Sequence, residues 1–288
     1  MASPGNLREL RLKIRSIENL KKITRAMQMV SASKLKKTQA RLMQIRPYAD
    51  KISDLLAGLA ANVGEIRHPL FDRRPEVKAV AVVVMTADKG LCGTFNTNLI
   101  EHANRFIRET GKPAKILAIG RKAADYFTRR GADVLARHLN LPTDVPFTTL
   151  QEITRTLLAE HAAGRVDEIH IEFTTYVNAM TFRPTRVRFV PVETRKVEGK
   201  PLGDYIFEPA PKEILAKLIP RYLETSLHRM LLESMSSEHS ARMNAMRNAT
   251  DNATELIDSL TLVRNKVRQA NITRELLDIV GGAEAIRG

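Results

Sequence analysis

The sequence predicts a mixed α/β protein. Its N- and C-terminal helices form a long antiparallel two-helix coiled coil, and a central three-layer, Rossmann-like α/β domain lies between them in sequence. The helices are predicted because no proline, glycine or aromatic residue occurs between Gly5 and Pro47, and none but Tyr222 between Pro220 and Gly281. The domain is predicted because all 5 tyrosines and 9 phenylalanines except Tyr222 lie in residues 48–207, where such side chains can fill a core.

The first helix carries apolar residues at alternating spacings of three and four. This rhythm predicts one apolar stripe that slips near Leu20. At ~1.5 Å per residue, residues 6–46 would extend roughly 60 Å. The stripe consists of Leu7, Leu10, Ile14 and Ile17, followed by Leu20, Ile23, Met27 and Val30.

The last helix has the more regular repeat, which is typical of a left-handed coiled coil. Residues 221–280 would span roughly 90 Å as one helix, and a helix of that length needs a packing partner to be stable. Pairing of the two terminal helices is the simplest arrangement. The predicted seam consists of Met246, Ala249, Ala253, Leu256, Leu260, Val263, Val267 and Ala270.

The middle of the chain alternates strands and helices, which is typical of a doubly wound α/β domain. Its first strand, residues 77–86, is a nearly continuous β-branched run and predicts a strand buried on both faces. We predict further strands at 115–119, 134–137, 168–175 and 181–192, and helices at 97–110, 121–130 and 148–163. The last two strands would form an antiparallel hairpin at the sheet edge. The predicted domains are therefore 1–62 (N-terminal coiled-coil helix), 75–195 (α/β domain), 196–211 (linker or foot loop) and 212–288 (C-terminal coiled-coil helix).

The chain is basic, with 46 Lys and Arg against 32 Asp and Glu and a net charge of +14. This charge predicts an acidic partner without identifying it. Residues 1–54 hold 13 basic and 4 acidic residues, but their long apolar rhythm favours mature structure over a transit peptide. No apolar run of 18 residues occurs, so no membrane span is predicted. Basic stripes follow the solvent side of both helices, at Lys21, Lys22, Arg25, Lys34, Lys37 and Arg41, and at Arg264, Lys266, Arg268 and Arg274.

No motif in the chain predicts catalysis, a metal or a cofactor. The segment TADKGLCGTFNTNL, residues 86–99, follows a strand and opens a helix, yet it lacks G-x-G-x-x-G and G-x-x-x-x-G-K-[ST]. We interpret it as a tight turn that glycine permits, and Cys92 as a packed thiol. The seven histidines are scattered without H-E-x-x-H or an i, i+4 pair. These features favour a rod-and-globule interaction protein over an enzyme.

Two other function classes stay open at this point. A basic coiled-coil protein that binds nucleic acid would explain the charge, although both helices lack the aromatic residues that stack on bases. A small-molecule enzyme built on the α/β domain would bind a nucleotide or anion near Gly90 and Gly93.

Four separated runs of sequence resemble the γ subunits of F-type ATP synthases. They are ITRAMQMVSASK (23–34), TADKGLCGTFNTNL (86–99), SSEHSARMNAMRNATDN (236–252) and VRNKVRQANITREL (263–276), and the resemblance extends over essentially the whole chain. It implies a non-catalytic rotating shaft within a ring of three α and three β subunits. The shaft couples proton flow through the c ring to ATP synthesis and hydrolysis on the β subunits. It implies partners in the α, β, ε and c subunits, and neither nucleic acid, a small-molecule substrate nor a cofactor.

The resemblance also implies contact residues. Those that would contact the α3β3 ring are Lys22, Arg25, Met27, Arg242, Arg268, Gln269 and Thr273, and those that would contact the c ring are Tyr205 and Glu208. The sequence departs from the family pattern at Lys89 and Thr94, where arginine and glycine are usual, and we expect Thr94 to cost the turn some backbone freedom. Because no transit peptide is recognised, we expect a peripheral protein at the cytoplasmic face of a bacterial membrane.

Overall fold

The computed structural model describes residues 4–62, 69–192 and 211–287, which fall into two compact units. Of the described residues, the smaller unit combines 4–30 with 243–287, and the larger comprises 31–62, 69–192 and 211–242. The proposed c-ring contacts Tyr205 and Glu208 lie outside the described residues, as does the predicted foot loop up to residue 210.

Two long helices, α1 (Pro4–Asn62) and α5 (Pro211–Arg287), contribute residues to both units. Each continues through an internal proline, Pro47 in α1 and Pro220 in α5. Among the helices in the described parts of the chain, none is long and apolar enough to span a bilayer.

The larger unit contains a five-stranded sheet with strand order β3-β2-β1-β4-β5. Strands β1 to β4 are parallel, and β5 pairs antiparallel with β4, which confirms the predicted hairpin at the sheet edge. The strands are β1 (Val80–Met85), β2 (Ala114–Ile119), β3 (Asp133–His138), β4 (Glu168–Tyr176) and β5 (Phe182–Val190). The helices between them are α2 (Phe95–Thr110), α3 (Arg121–Arg129) and α4 (Phe147–Ala162).

Helices cover both faces of this sheet, as the uniformly buried strand β1 predicts. One set of alternate β1 residues, including Val82, packs in a core cluster with α2 and α3. The other set, including Val83, packs with α4 and with the first part of α5. The predicted three-layer α/β architecture is therefore confirmed.

The first part of α5 belongs to the core of the larger unit. Its fully or nearly fully buried apolar residues occur mainly at spacings of three or four and pack beneath the sheet with Leu150 and Ile153 of α4. They are Leu215, Ile219, Leu223, Leu227, Met230 and Leu231. Because this much apolar area leaves water, the segment contributes to stability as a core helix does.

In the smaller unit, the predicted slip in the α1 stripe is wrong. Buried and half-buried positions keep one unbroken 3–4 spacing, at Leu7, Leu10, Ile14, Ile17, Lys21, Thr24 and Gln28. Polar residues thus continue the seam where apolar ones were expected. They are accommodated because polar groups can be satisfied there: the Thr24 and Thr250 hydroxyls lie 2.8 Å apart.

The seam of α5 in the smaller unit also differs from the prediction at alternate positions. Buried and half-buried residues recur at Met246, Thr250, Ala253, Ile257, Leu260, Arg264, Val267 and Asn271. Met246, Ala253, Leu260 and Val267 are as predicted, and Ala249 is half-buried beside Thr250, whereas the predicted Leu256, Val263 and Ala270 are exposed. The prediction followed hydrophobicity alone, so it selected the apolar neighbours of the polar seam residues Thr250, Arg264 and Asn271. At Leu256 the seam residue is Ile257, which is equally apolar, so hydrophobicity could not decide between the two.

Candidate functional site

Helix α1 of the smaller unit exposes a second apolar stripe beside its buried seam. Leu20 is 53% exposed, and Ile23 and Val30 are each 57% exposed. Spacings of three and seven place these side chains on one face of the helix, with half-buried Met27 between them. These are the residues expected to continue the seam, and the structure places them in solvent instead.

Helix α5 exposes a corresponding stripe on the face opposite its seam. Leu276 is 57% exposed, and Leu262 and Val280 are similarly open to solvent. Two of the predicted ring contacts, Gln269 and Thr273, are exposed and fall on the same stripe, because 262, 269, 273, 276 and 280 are spaced by seven, four, three and four. The stripe therefore combines apolar contact area with polar groups that can donate or accept hydrogen bonds.

The predicted basic contact residues of the smaller unit are also accessible. Lys22 and Arg25 are exposed one turn apart on α1, and Arg268 is exposed on α5. Met27 is half-buried. Each helix therefore presents both cations and apolar side chains to whatever surrounds it.

The remaining predicted ring contact, Arg242, has a different environment in the larger unit. Its guanidinium donates from Nε to the carbonyl of Gly90 (3.2 Å), from Nη2 to that of Lys89 (3.0 Å) and from Nη1 to Glu238 Oε1 (2.6 Å). The side chain is 11% exposed. Arg242 thus fastens the turn of residues 86–99 to α5.

The turn itself is built as a tight, glycine-assisted bend. Leu91 and Gly93 have positive φ angles of 60° and 58°, whereas Thr94 has φ −88°. The expectation that Thr94 costs backbone freedom is therefore wrong, because its conformation is open to any residue. Cys92 is buried, with its sulfur 3.1 Å from Asn96 Nδ2, and burial raises the pKa of the thiol.

The turn also supplies an internal anion at the N-terminus of α3. Asp88 accepts the backbone N–H of Arg121 at Oδ1 (3.0 Å) and that of Asn140 at Oδ2 (2.9 Å). The hydroxyl of Thr86 accepts the N–H of Ala123 (2.8 Å). In dinucleotide-binding folds a phosphate takes this kind of position, but here the protein's own side chains satisfy these donors.

One charged cluster was missed by sequence reasoning. Glu172 on β4 is 0% exposed, and its Oε2 lies 2.6 Å from Nδ1 of His102 on α2. Burial raises the pKa of this carboxyl group. The signal was the alternation of Glu168, His170 and Glu172 with the apolar residues Ile169, Ile171 and Phe173, which places three titratable groups on one sheet face.

Comparison with known proteins identifies the family. A family model described as ATP synthase matches residues 6–286. The ATP synthase gamma chain of Desulforamulus reducens is 46% identical over 283 residues, covering 98% of this chain and 99% of that protein. That of Symbiobacterium thermophilum is 40% identical over 285 residues, with the same coverage.

Solved structures agree on the fold. A chain of the Euglena gracilis mitochondrial ATP synthase in rotational state 3 superposes with a TM-score of 0.69 at 21% identity, covering 99% of this chain and 95% of that one. A chain from the Tetrahymena thermophila mitochondrial ATP synthase central stalk and c ring superposes with a TM-score of 0.61 at 24% identity, covering 79% of this chain and 99% of that one. On the strength of the family model and the relatives at 40–46% identity, this chain belongs to the ATP synthase gamma-chain family.

Proposed function

We propose that this gamma subunit is the rotating central shaft of an F1Fo ATP synthase. The shaft couples ion flow through the membrane c ring to ATP synthesis or hydrolysis at the β subunits, and contributes no catalytic residue itself. The gamma chains named above support this role, since they match over nearly their whole length.

The observation that carries the proposal is the pair of exposed apolar stripes on the smaller unit. Leu20, Ile23 and Val30 on α1, and Leu262 and Leu276 on α5, are each more than half exposed. Contiguous exposed apolar residues usually mark an interaction surface. A surrounding sleeve of α and β subunits would cover both helices at once.

The exposed positive charges of the smaller unit also support a ring of α and β subunits as its partner. Lys22, Arg25 and Arg268 are exposed among the apolar residues, and we propose that they meet acidic groups of the β subunits. Gln269 and Thr273 would hydrogen-bond a β-subunit loop. Met27 would add apolar contact to the α1 face.

Arg242 is proposed to act on the ring indirectly. Its polar atoms already bind the turn at Lys89 and Gly90 and the carboxylate of Glu238. It would therefore fix the shape of the surface that this turn presents to the ring. This is positioning of a contact surface rather than direct recognition.

We also propose that Tyr205 and Glu208 contact the c ring and that the ε subunit binds beside them. The protein would then lie at the cytoplasmic face of a bacterial membrane as a peripheral subunit. This part of the proposal rests on the family resemblance of the segment DYIFEPAP.

Coupling requires that the shaft be asymmetric. A ligand that binds all states of its partner equally shifts no equilibrium, so a threefold-symmetric rod could not distinguish three identical β subunits. The smaller unit is asymmetric because Lys22 and Arg25 occupy a different face of α1 from Leu20 and Ile23. Rotation would present these faces in turn to each β subunit. Because coupling is reciprocal, ATP hydrolysis would drive the shaft backwards.

The Gln269→Leu variant tests the contact surface in a reconstituted complex with the α and β subunits. Loss of a buried hydrogen bond corresponds to roughly 1–3 kcal/mol, so we expect ATPase turnover to fall about fivefold or more. The matched control is Gln44→Leu, since Gln44 is exposed in the larger unit. Turnover unchanged in the Gln269 variant, or lowered equally in both, would contradict the assignment.

A further inference from the structure

A cavity in the larger unit lies at the carboxyl ends of β1, β2 and β3. Its volume is about 250 Å³, and residues from the strand ends, α1 and α5 line it. Doubly wound sheets bind their ligands in crevices at this edge. Pockets for drug-sized ligands usually exceed about 300 Å³, so this one suits a small ion with accompanying water.

The cavity contains a buried polar group without a partner. His239 on α5 is 8% exposed, and its Nδ1 makes no hydrogen bond to the described residues. Burial, together with the positive charges of Arg242 and Lys34, lowers the pKa of His239 to about 4, so the imidazole is neutral at pH 7. A buried polar atom of this kind indicates a missing hydrogen-bond partner.

The charges around the cavity are unequally paired. Arg242 and Glu238 are joined at 2.6 Å. The carboxylate of Asp88 is satisfied by two backbone N–H groups at the start of α3 and after β3. Lys34 and Lys89 line the same cavity, and neither forms a direct salt bridge within the described ranges, although the charge of Lys34 also acts on Glu238.

We propose that this cavity binds a phosphate-sized oxyanion, held by Lys34, Lys89 and the Nδ1–H of His239. Two ammonium groups would balance the charge of a dianion, and a neutral imidazole can carry its proton on Nδ1 and donate it. The bound ion would join α1, the turn of residues 86–99 and α5 within the larger unit. The site shares Arg242 and the turn at Lys89 with the proposed indirect ring contact. It is distinct from the exposed stripes of the smaller unit, which carry the proposed function.

The test is a titration of the full chain with inorganic phosphate, with chloride holding ionic strength constant, followed by NMR of isotope-labelled histidine. The His239→Gln variant assigns the signal. We expect a saturable shift of the His239 resonances and a rise in the pKa of His239, because an adjacent anion favours the imidazolium. A response equal to that in chloride alone would mean that the cavity holds only water, for which it has room for about eight molecules at ~30 Å³ each, and would overturn the proposal.

A charge-matched pair of variants tests the lysine. Lys34→Gln should weaken phosphate binding by about tenfold or more, the loss expected from one charge-assisted hydrogen bond. Lys36→Gln is the control, because Lys36 is exposed on the same helix and does not line the cavity. Equal affinities in the two variants would refute the site.

A parallel titration with ATP identifies the source of the oxyanion. If the site binds free phosphate, ATP should cause no specific shift of the His239 resonances. A shift at an ATP concentration equal to or lower than that needed with phosphate would assign the bound group to a nucleotide. Failure of phosphate binding would leave the proposed shaft function untouched, since that function rests on the smaller unit.

Discussion

Replacing Arg242 with methionine should destabilise the larger unit substantially. Methionine keeps much of the side chain's apolar stem but removes the three hydrogen bonds to Lys89, Gly90 and Glu238. Glu238, whose side chain is 16% exposed, would then be a nearly buried carboxylate without its ion-pair partner. Breaking a buried pair in this way costs about 3–5 kcal/mol.

The assay is chemical denaturation of the purified chain, with Arg247→Met as the matched control. Arg247 is exposed on the same helix, and its replacement should change the free energy of unfolding by less than about 0.5 kcal/mol. Adding Glu238→Gln to the Arg242 variant removes the stranded charge. The resulting double-mutant cycle should give a coupling energy of about 1–3 kcal/mol.

The same variant has a predicted pH dependence. Burial raises the pKa of Glu238 in the folded protein, and Arg242 opposes that rise. Without Arg242 the folded-state pKa is higher still, while the unfolded value stays near ~4.3, so the folded state binds the extra proton. Stability contributed by protonation is lost as pH rises through the folded pKa. The penalty of Arg242→Met should therefore be larger at pH 8 than at pH 5. A small, pH-independent and additive effect would refute the clamp.

Two further predictions concern the same end of the sheet. Gly120→Ala should lower the free energy of unfolding by about 3 kcal/mol or more, because φ is +89° and a Cβ there would lie 2.1 Å from the Thr86 carbonyl oxygen. Gly131→Ala is the control and should lower it by only about 1–2 kcal/mol, because φ is +68° but the added Cβ would point into open space. Equal losses in the two variants would contradict the steric argument. The pKa of His239 is lowered to about 4, so its contribution to the free energy of unfolding should be present above pH ~6.5 and lost as pH falls toward 4, by up to about 3 kcal/mol. His239→Gln should flatten this part of the curve of stability against pH. An unchanged curve would show that His239 is not the group responsible.

The α/β core could be predicted from the sequence because its physical signal is local and strong. Six consecutive buried residues in β1 are all apolar, so the burial of both faces can be deduced from residues 80–85 alone. The glycines at 131 and 164 mark the ends of helices α3 and α4 through their positive φ angles. For these strands and helix ends, the pattern of neighbouring residues was sufficient to predict the structure.

The seam of the smaller unit could be predicted only in part. Thr24 lies in that seam because its hydroxyl meets Thr250, which is 226 residues away in sequence. Hydrophobicity cannot anticipate that a pair of distant polar groups will satisfy each other. It selected Ile23 in place of Thr24, and likewise Val263 in place of Arg264, and both apolar side chains are exposed.

The contacts of Arg242 were likewise beyond local sequence reasoning. The turn at Lys89 and Gly90 precedes it by more than 150 residues, and the sequence contains many other arginines. The resemblance of the SARM block singled out Arg242, but not the carbonyl groups that it binds. Such long-range hydrogen bonds depend on the tertiary fold rather than on a pattern.

Single-molecule measurements can show directly whether this chain rotates within the complex. In a complex of this chain with its α and β subunits held to a surface, a reporter would be attached through Arg129→Cys, an exposed position on α3; native Cys92 is 1% exposed and should not react. A rotating shaft predicts ATP-dependent rotation of the reporter in one direction, with three pauses per turn, one for each β subunit. A reporter that stays fixed while the complex hydrolyses ATP would contradict the account.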